Sequence, residues 1–81
     1  MQIRVQFYSY CKELTGCEET TETLAAGTTL GALHDQLRTR FPKLSAMKKS
    51  ILLAVGVDYQ ARDYVLQDRD EVSLFPPVQG G

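Results

Sequence analysis

Apolar and polar side chains alternate from residue 2 to 8, with Ile3, Val5 and Phe7 on one side and Gln2, Arg4, Gln6 and Tyr8 on the other. A period of two is that of a strand buried on one face only. Residues 11–14 have room for a short helical turn, which Gly16 would end. From Glu18 to Leu24 the threonines at 20, 21 and 23 favour a second strand, polar enough to lie near an edge and most economically paired with the first as a hairpin. Gly27-Thr28-Thr29 then stops the strand and supplies a helix N-cap.

The period changes after that. Leu30, Leu33, Leu37 and Phe41 recur at helical spacing, with Asp35, Gln36, Arg38 and Arg40 away from the stripe and Pro42 ending it. His34 lies beside the stripe without an evident partner, so it reads as a boundary residue rather than a catalytic base. Leu44 to Lys49 has the makings of another helical turn whose lysines form a solvated face. Ile51 to Val57 is apolar enough for a central strand, and Tyr59 to Leu66 holds either a short strand or a loop with an excursion. Asp68-Arg69-Asp70 reads as a tight turn into a last strand from Glu71 to Phe75, with Val72 and Leu74 on one face and Glu71, Ser73 and Phe75 on the other. Pro76 and Pro77 forbid further pairing.

Strand, strand, helix, strand, short strand, strand around one main amphipathic helix predicts an α+β domain: a mixed sheet wrapped around that helix, the β-grasp or ubiquitin-like arrangement. The expected division is a domain over residues 1–75 and an extended tail over 76–81. No repeat or linker interrupts the chain.

Composition narrows the function more by exclusion than by indication. Eighty-one residues, 43% hydrophobic and 23% charged, fit one small globular domain rather than a disordered chain. Nine basic residues against ten acidic ones leave a net charge of −1, which argues against nucleic-acid binding by phosphate neutralisation. The longest apolar run, Ile51 to Val55, is too short for a bilayer and no signal-peptide pattern is visible, so a cytoplasmic protein without membrane partners is expected. Cys11 and Cys17 match no zinc or redox spacing and read as ordinary thiols; no metal site is expected.

The candidate chemistry lies in Phe75-Pro76-Pro77-Val78-Gln79-Gly80-Gly81. Two glycines add nothing to packing, but they make a thin tail able to enter a narrow channel on another protein, where the Gly81 carbonyl carbon is open to attack. The two prolines stiffen its base and reduce the entropy lost on threading. By strand parity Phe75 and Tyr8 point away from the core, and with Tyr59 they are candidates for an aromatic patch that anchors a partner.

The stretches Lys12-Glu13-Leu14-Thr15-Gly16, Leu53-Ala54-Val55, Asp68-Arg69-Asp70-Glu71-Val72 and the Phe-Pro-Pro-Val-x-Gly-Gly ending together resemble the MoaD/ThiS sulfur-carrier family over the whole chain. Two positions depart from its pattern. Gly56 stands where asparagine is common, and Arg69 replaces the usual turn glycine, so a different turn geometry is expected there. The resemblance implies a carrier that is not catalytic by itself and binds no cofactor. An E1-like enzyme, using ATP with Mg²⁺, would adenylate Gly81, and a sulfur donor protein would then convert it to a thiocarboxylate. In the MoaD branch the sulfur passes to cyclic pyranopterin monophosphate inside the large subunit of molybdopterin synthase, a heterotetramer, during molybdenum cofactor biosynthesis. Gly80, Pro76, Pro77, Val78 and Gln79 would then be partner-binding with Phe75, Tyr8 and Tyr59. Three alternatives remain open at this point: a carrier for thiamin thiazole synthesis, which the Phe-Pro-Pro-Val element disfavours, a ubiquitin-like modifier joined to target lysines through Gly81, and a passive binding module that uses only its sheet.

Overall fold

Strand β1, Gln2–Phe7, is the alternating segment, and it sits inside the sheet rather than at its rim. The computed structural model describes residues 1–46 and 51–76. Helix α1 (Tyr10–Thr15) follows and ends on Gly16, whose φ of 75° is the left-handed cap that glycine takes without strain. Strand β2 (Glu19–Thr23) pairs antiparallel with β1, Ile3 opposite Glu22 and Val5 opposite Thr20.

The main helix α2, Leu30–Arg40, starts where the threonine signal placed it: Thr29 Oγ1 accepts the Ala32 N–H at 3.2 Å. Two further first-turn amides find partners in a distant loop, Leu30 N–H donating to the Tyr64 carbonyl and Gly31 N–H to that of Arg62, each at 2.8 Å. Those donors have no partner within a helix, so the loop completes the helix start. Pro42 opens a 3₁₀ turn over Pro42–Ala46, earlier than the turn expected at 44–49; Met47 to Ser50, both of that turn's lysines included, lie outside the described residues.

Strands β3 (Leu52–Val55) and β4 (Asp58–Tyr59) form a hairpin whose two-residue loop has positive φ at Gly56, 62°, and not at Val57. That matches the first central position of a type II′ turn, so glycine suits the site where the family pattern has asparagine. Strand β5, Glu71–Phe75, runs parallel to β1 and antiparallel to β3, giving the order β2-β1-β5-β3-β4. The last strand is therefore the middle of the sheet. Ile3, Val5, Phe7, Leu53, Val55, Val72 and Leu74 close against Leu30, Leu33 and Leu37 of the helix, the mixed sheet and single main helix expected of a β-grasp domain.

Two readings need correction. Arg69 keeps the positive φ of a turn glycine, 70°, rather than changing the turn. The turn is over-determined: Arg69 N–H donates to the Gln2 carbonyl at 3.0 Å, Asp68 Oδ1 accepts the Gln2 N–H at 2.9 Å, and Asp70 Oδ2 accepts the Gln67 N–H at 2.8 Å. His34 is not at the boundary but buried, 8% exposed. Ser73 lies on the outer face and is nonetheless closed over, because a small side chain on a central strand is covered by its neighbours; Gln6 and Ala54 stand beside it.

Candidate functional site

Parity along β5 turns Phe75 away from the helix, and the parallel register with β1 brings Tyr8 beside it. The pairing continues one residue past β1, where Tyr8 N–H donates to the Leu74 carbonyl at 3.0 Å. The two rings lie nearly parallel, 10° apart in plane with centroids at 4.8 Å. On the other side Tyr59, outward on β4 through its pairing with Ala54, meets Phe75 edge-on at 6.3 Å and 74°. Both geometries are favourable for aromatic pairs. Tyr59 is 67% exposed and Tyr8 41%, so the three rings form a partly solvent-facing apolar cluster at the end of the sheet's middle strand.

Phe75 thus packs locally on two rings while remaining outside the helix-packed core. Pro76 is half-buried directly after it. Pro77, Val78, Gln79, Gly80 and Gly81 lie outside the described residues. At the other end of the same face the surface is charged: Arg4 Nη1 meets Glu71 Oε1 at 3.1 Å, and Arg4 Nε lies 3.8 Å from Glu19 Oε2. All three side chains are more than half exposed, so these pairs shape the surface more than they stabilise it.

The remaining chemically capable side chains serve the fold. Cys11 is fully buried, and burial pushes its thiol up, away from the reactive thiolate. Cys17 is half-buried, its Sγ 3.7 Å from Thr15 Oγ1. His34 Nδ1 faces Arg62 Nη1 at 3.2 Å. Burial first, then the charges of Arg38 and Arg62, hold the imidazole below its ordinary value of 6.5 against the opposing pull of Asp35. Arg62 Nη2 also reaches both Asp35 carboxylate oxygens, at 3.0 and 3.1 Å. Glu22, on the inner side of β2, is buried against Arg40 at 2.6 Å. Neither Arg62 nor Glu22 stood out in sequence, because each owes its place to an element far along the chain. Among the described residues no group of three or more His, Cys, Asp or Glu could hold a metal ion, and no helix is long and apolar enough to cross a membrane.

A sheet of order β2-β1-β5-β3-β4 around one helix, with an aromatic cluster where the last strand ends, defines a ubiquitin-like β-grasp protein. The chain belongs to the ThiS family, whose family model matches residues 5–81. Among curated relatives it is 31% identical over 81 residues to the molybdopterin synthase sulfur carrier subunit of Arabidopsis thaliana, covering 100% of this chain and 84% of that one. It is 35% identical to the subunit of that name from Escherichia coli (strain K12), with 98% and 99% covered. SAMP1, the small archaeal modifier protein 1 of Haloferax volcanii, has the same fold: TM-score 0.87 at 21% identity, both chains fully covered. A chain in the complex of subunits 1 and 2 of the molybdopterin-converting factor from Helicobacter pylori 26695 superposes with TM-score 0.70 at 22% identity, again over the whole of both chains.

Proposed function

We propose that this chain is the sulfur-carrier subunit of a molybdopterin synthase. The observation that carries the reading is the match, over essentially all of this chain and 84% and 99% of theirs, to two relatives bearing that name. Its geometry supports it: the segment that would deliver sulfur leaves from the middle strand of the sheet, past a cluster of three rings on a partly exposed face. Apolar aromatic groups beside such an exit suit an anchoring surface.

In this reading a Gly81 carboxylate oxygen attacks the α-phosphate of ATP on an E1-like partner, pyrophosphate leaves, and an acyl adenylate forms. A carboxylate resists addition because of its charge and resonance, whereas the adenylate offers AMP as a leaving group. A persulfide on a donor protein displaces AMP to give an acyl disulfide, and a second thiol of the partners attacks the donor's sulfur, breaking the S–S bond, forming a disulfide with the donor and leaving a thiocarboxylate. The tail then enters the large subunit, where the thiocarboxylate sulfur bonds to cyclic pyranopterin monophosphate, and water attacks the Gly81 carbonyl carbon, breaking its bond to sulfur and restoring the carboxylate. ATP, its Mg²⁺ and the general acids and bases are assigned to the partners. The carrier contributes its docking face, the Pro76-Pro77 collar, and Gly80 and Gly81, which pass where a Cβ would obstruct.

Deleting Gly81 tests this. The truncated chain should unfold at the same temperature as the intact one and fail in sulfur transfer to the precursor by the cognate large subunit. Normal transfer from it would end the carrier reading. Ladders of target proteins joined to Gly81 would point instead to a modifier, and sulfur delivered to thiazole synthesis alone to the thiamin branch.

A further inference from the structure

Tyr8 is 41% exposed, yet its hydroxyl, its two backbone groups and one face of its ring are engaged within its own chain. Its hydroxyl donates to Gln6 Oε1, its N–H to the Leu74 carbonyl, and its carbonyl accepts the Cys11 N–H at 3.0 Å. One face of its ring is taken up by Phe75. The residue after it is strained to achieve this. Ser9 has φ 52° and ψ −128°, the first central position of a type II′ turn that the Tyr8–Cys11 bond closes, a conformation open to glycine and costly for serine. Its side chain makes no capping bond to offset the cost. What the strain secures is Tyr8, held at the end of β1 with its ring over the last residue of β5.

Phe75 is in the opposite position. It has no polar group to fix its side chain, and it stands where the sheet stops. A freely rotating ring would lose rotamer freedom when a partner docks, and that loss subtracts from affinity. We propose that Tyr8 is a positioning residue: it holds the Phe75 ring in its docking orientation in the free chain, and acts on partner binding through Phe75 rather than as a second anchor. This rests on the carrier reading for the identity of the partner, though not for the ordering of the ring.

The experiment is a double-mutant cycle on the full chain, titrated calorimetrically with the cognate large subunit, together with NMR of the Phe75 side chain in the free protein. Phe75→Ala should weaken binding about tenfold or more, as loss of an anchor does. Tyr8→Ala should cost about three- to tenfold, the range of one aromatic pair, and nothing further once Phe75 is already alanine. Tyr8→Phe keeps the stacking face and should bind within about twofold of the natural chain. Without partner, Phe75 χ1 should hold one rotamer in the natural chain and in Tyr8→Phe and average between rotamers in Tyr8→Ala. Tyr8→Leu, which keeps bulk without a stacking face, replaces Tyr8→Ala in every arm should the latter fail to fold. Undiminished loss from Tyr8→Ala in the Phe75→Ala background would overturn the proposal, as would a fixed Phe75 rotamer in Tyr8→Ala. Binding untouched by Phe75→Ala would contradict the docking face itself, while the partner-free NMR arm would still decide whether Tyr8 orders the ring.

Discussion

Arg62 holds both backbone groups of Gly31: its carbonyl accepts the Gly31 N–H at 2.8 Å and its Nη2 donates to the Gly31 carbonyl at 3.2 Å. The approach is close enough to require glycine. A Cβ there would lie 2.9 Å from Arg62 Cβ, 3.0 Å from Nε and 3.1 Å from Cζ. The nearest of these is fixed to the backbone and cannot swing away, so the loop itself would have to move.

Gly31→Ala accordingly sets two effects against each other. Intrinsic helix preference favours alanine by about 1 kcal/mol, whereas the clash costs about 1–3 kcal/mol and opens the loop that completes the helix start. Net destabilisation is expected, read as a lower urea midpoint at unchanged slope. A neutral or stabilised variant would show that the loop yields freely.

Arg69 presents the reverse case, a side chain where glycine would be easier. Its φ of 70° is imposed by the bonds that Asp68, Arg69 and Asp70 make on either side. A left-handed backbone costs a residue with a Cβ about 1–2 kcal/mol, and part of that gain is returned because glycine leaves the unfolded chain freer. Arg69→Gly should therefore stabilise by about 0.5–1 kcal/mol and raise the melting temperature by a few degrees. A lower melting temperature would mean that the arginine side chain supplies more than the strain removes.

The burial of His34 makes stability depend on pH in a defined direction. The folded chain keeps the imidazole neutral, through desolvation and then Arg38 and Arg62, while the unfolded chain protonates near 6.5. Lowering the pH thus favours the unfolded chain: the contribution is intact above 6.5 and is lost as pH falls toward the depressed folded value. One such group gives a slope of at most about 1.4 kcal/mol per pH unit. Urea unfolding between pH 7 and pH 5 should show that loss, and His34→Gln should flatten it. The carboxyls of Asp35 and Glu18, lowered by their hydrogen bonds to Arg62 and Lys12, add their own losses only in more acid solution. An unchanged slope in His34→Gln would remove His34 as the cause.

Much of this architecture could be read from local pattern. Ile3, Val5 and Phe7 alternate, and Leu30, Leu33 and Leu37 recur at helical spacing, because burying one face of an element requires that period. The turn at Gly16 and the cap at Thr29 follow from residue chemistry within a few positions. The rest depends on pairing between distant segments. Parity alone turned Phe75 outward, but its stacking on Tyr8 needs the parallel β1–β5 register, which no local signal encodes. His34 looked like a boundary residue because the side chain that covers it, Arg62, comes from a loop almost thirty residues on. Ser73 shares the outward parity of Phe75 and is buried all the same, since parity says which way a residue points and not what covers it.

The most direct test of the central claim is the intact mass of the chain after incubation with ATP, the cognate E1-like enzyme and a sulfur source. Replacing one oxygen of the Gly81 carboxylate by sulfur should raise the mass by about 16 Da, the signature of an acyl group carried through adenylate to thiocarboxylate. The gain should be absent without ATP and should disappear when the cognate large subunit and cyclic pyranopterin monophosphate are added. A mass that stays unchanged with all components present, or a gain placed by fragmentation anywhere other than Gly81, would contradict the account.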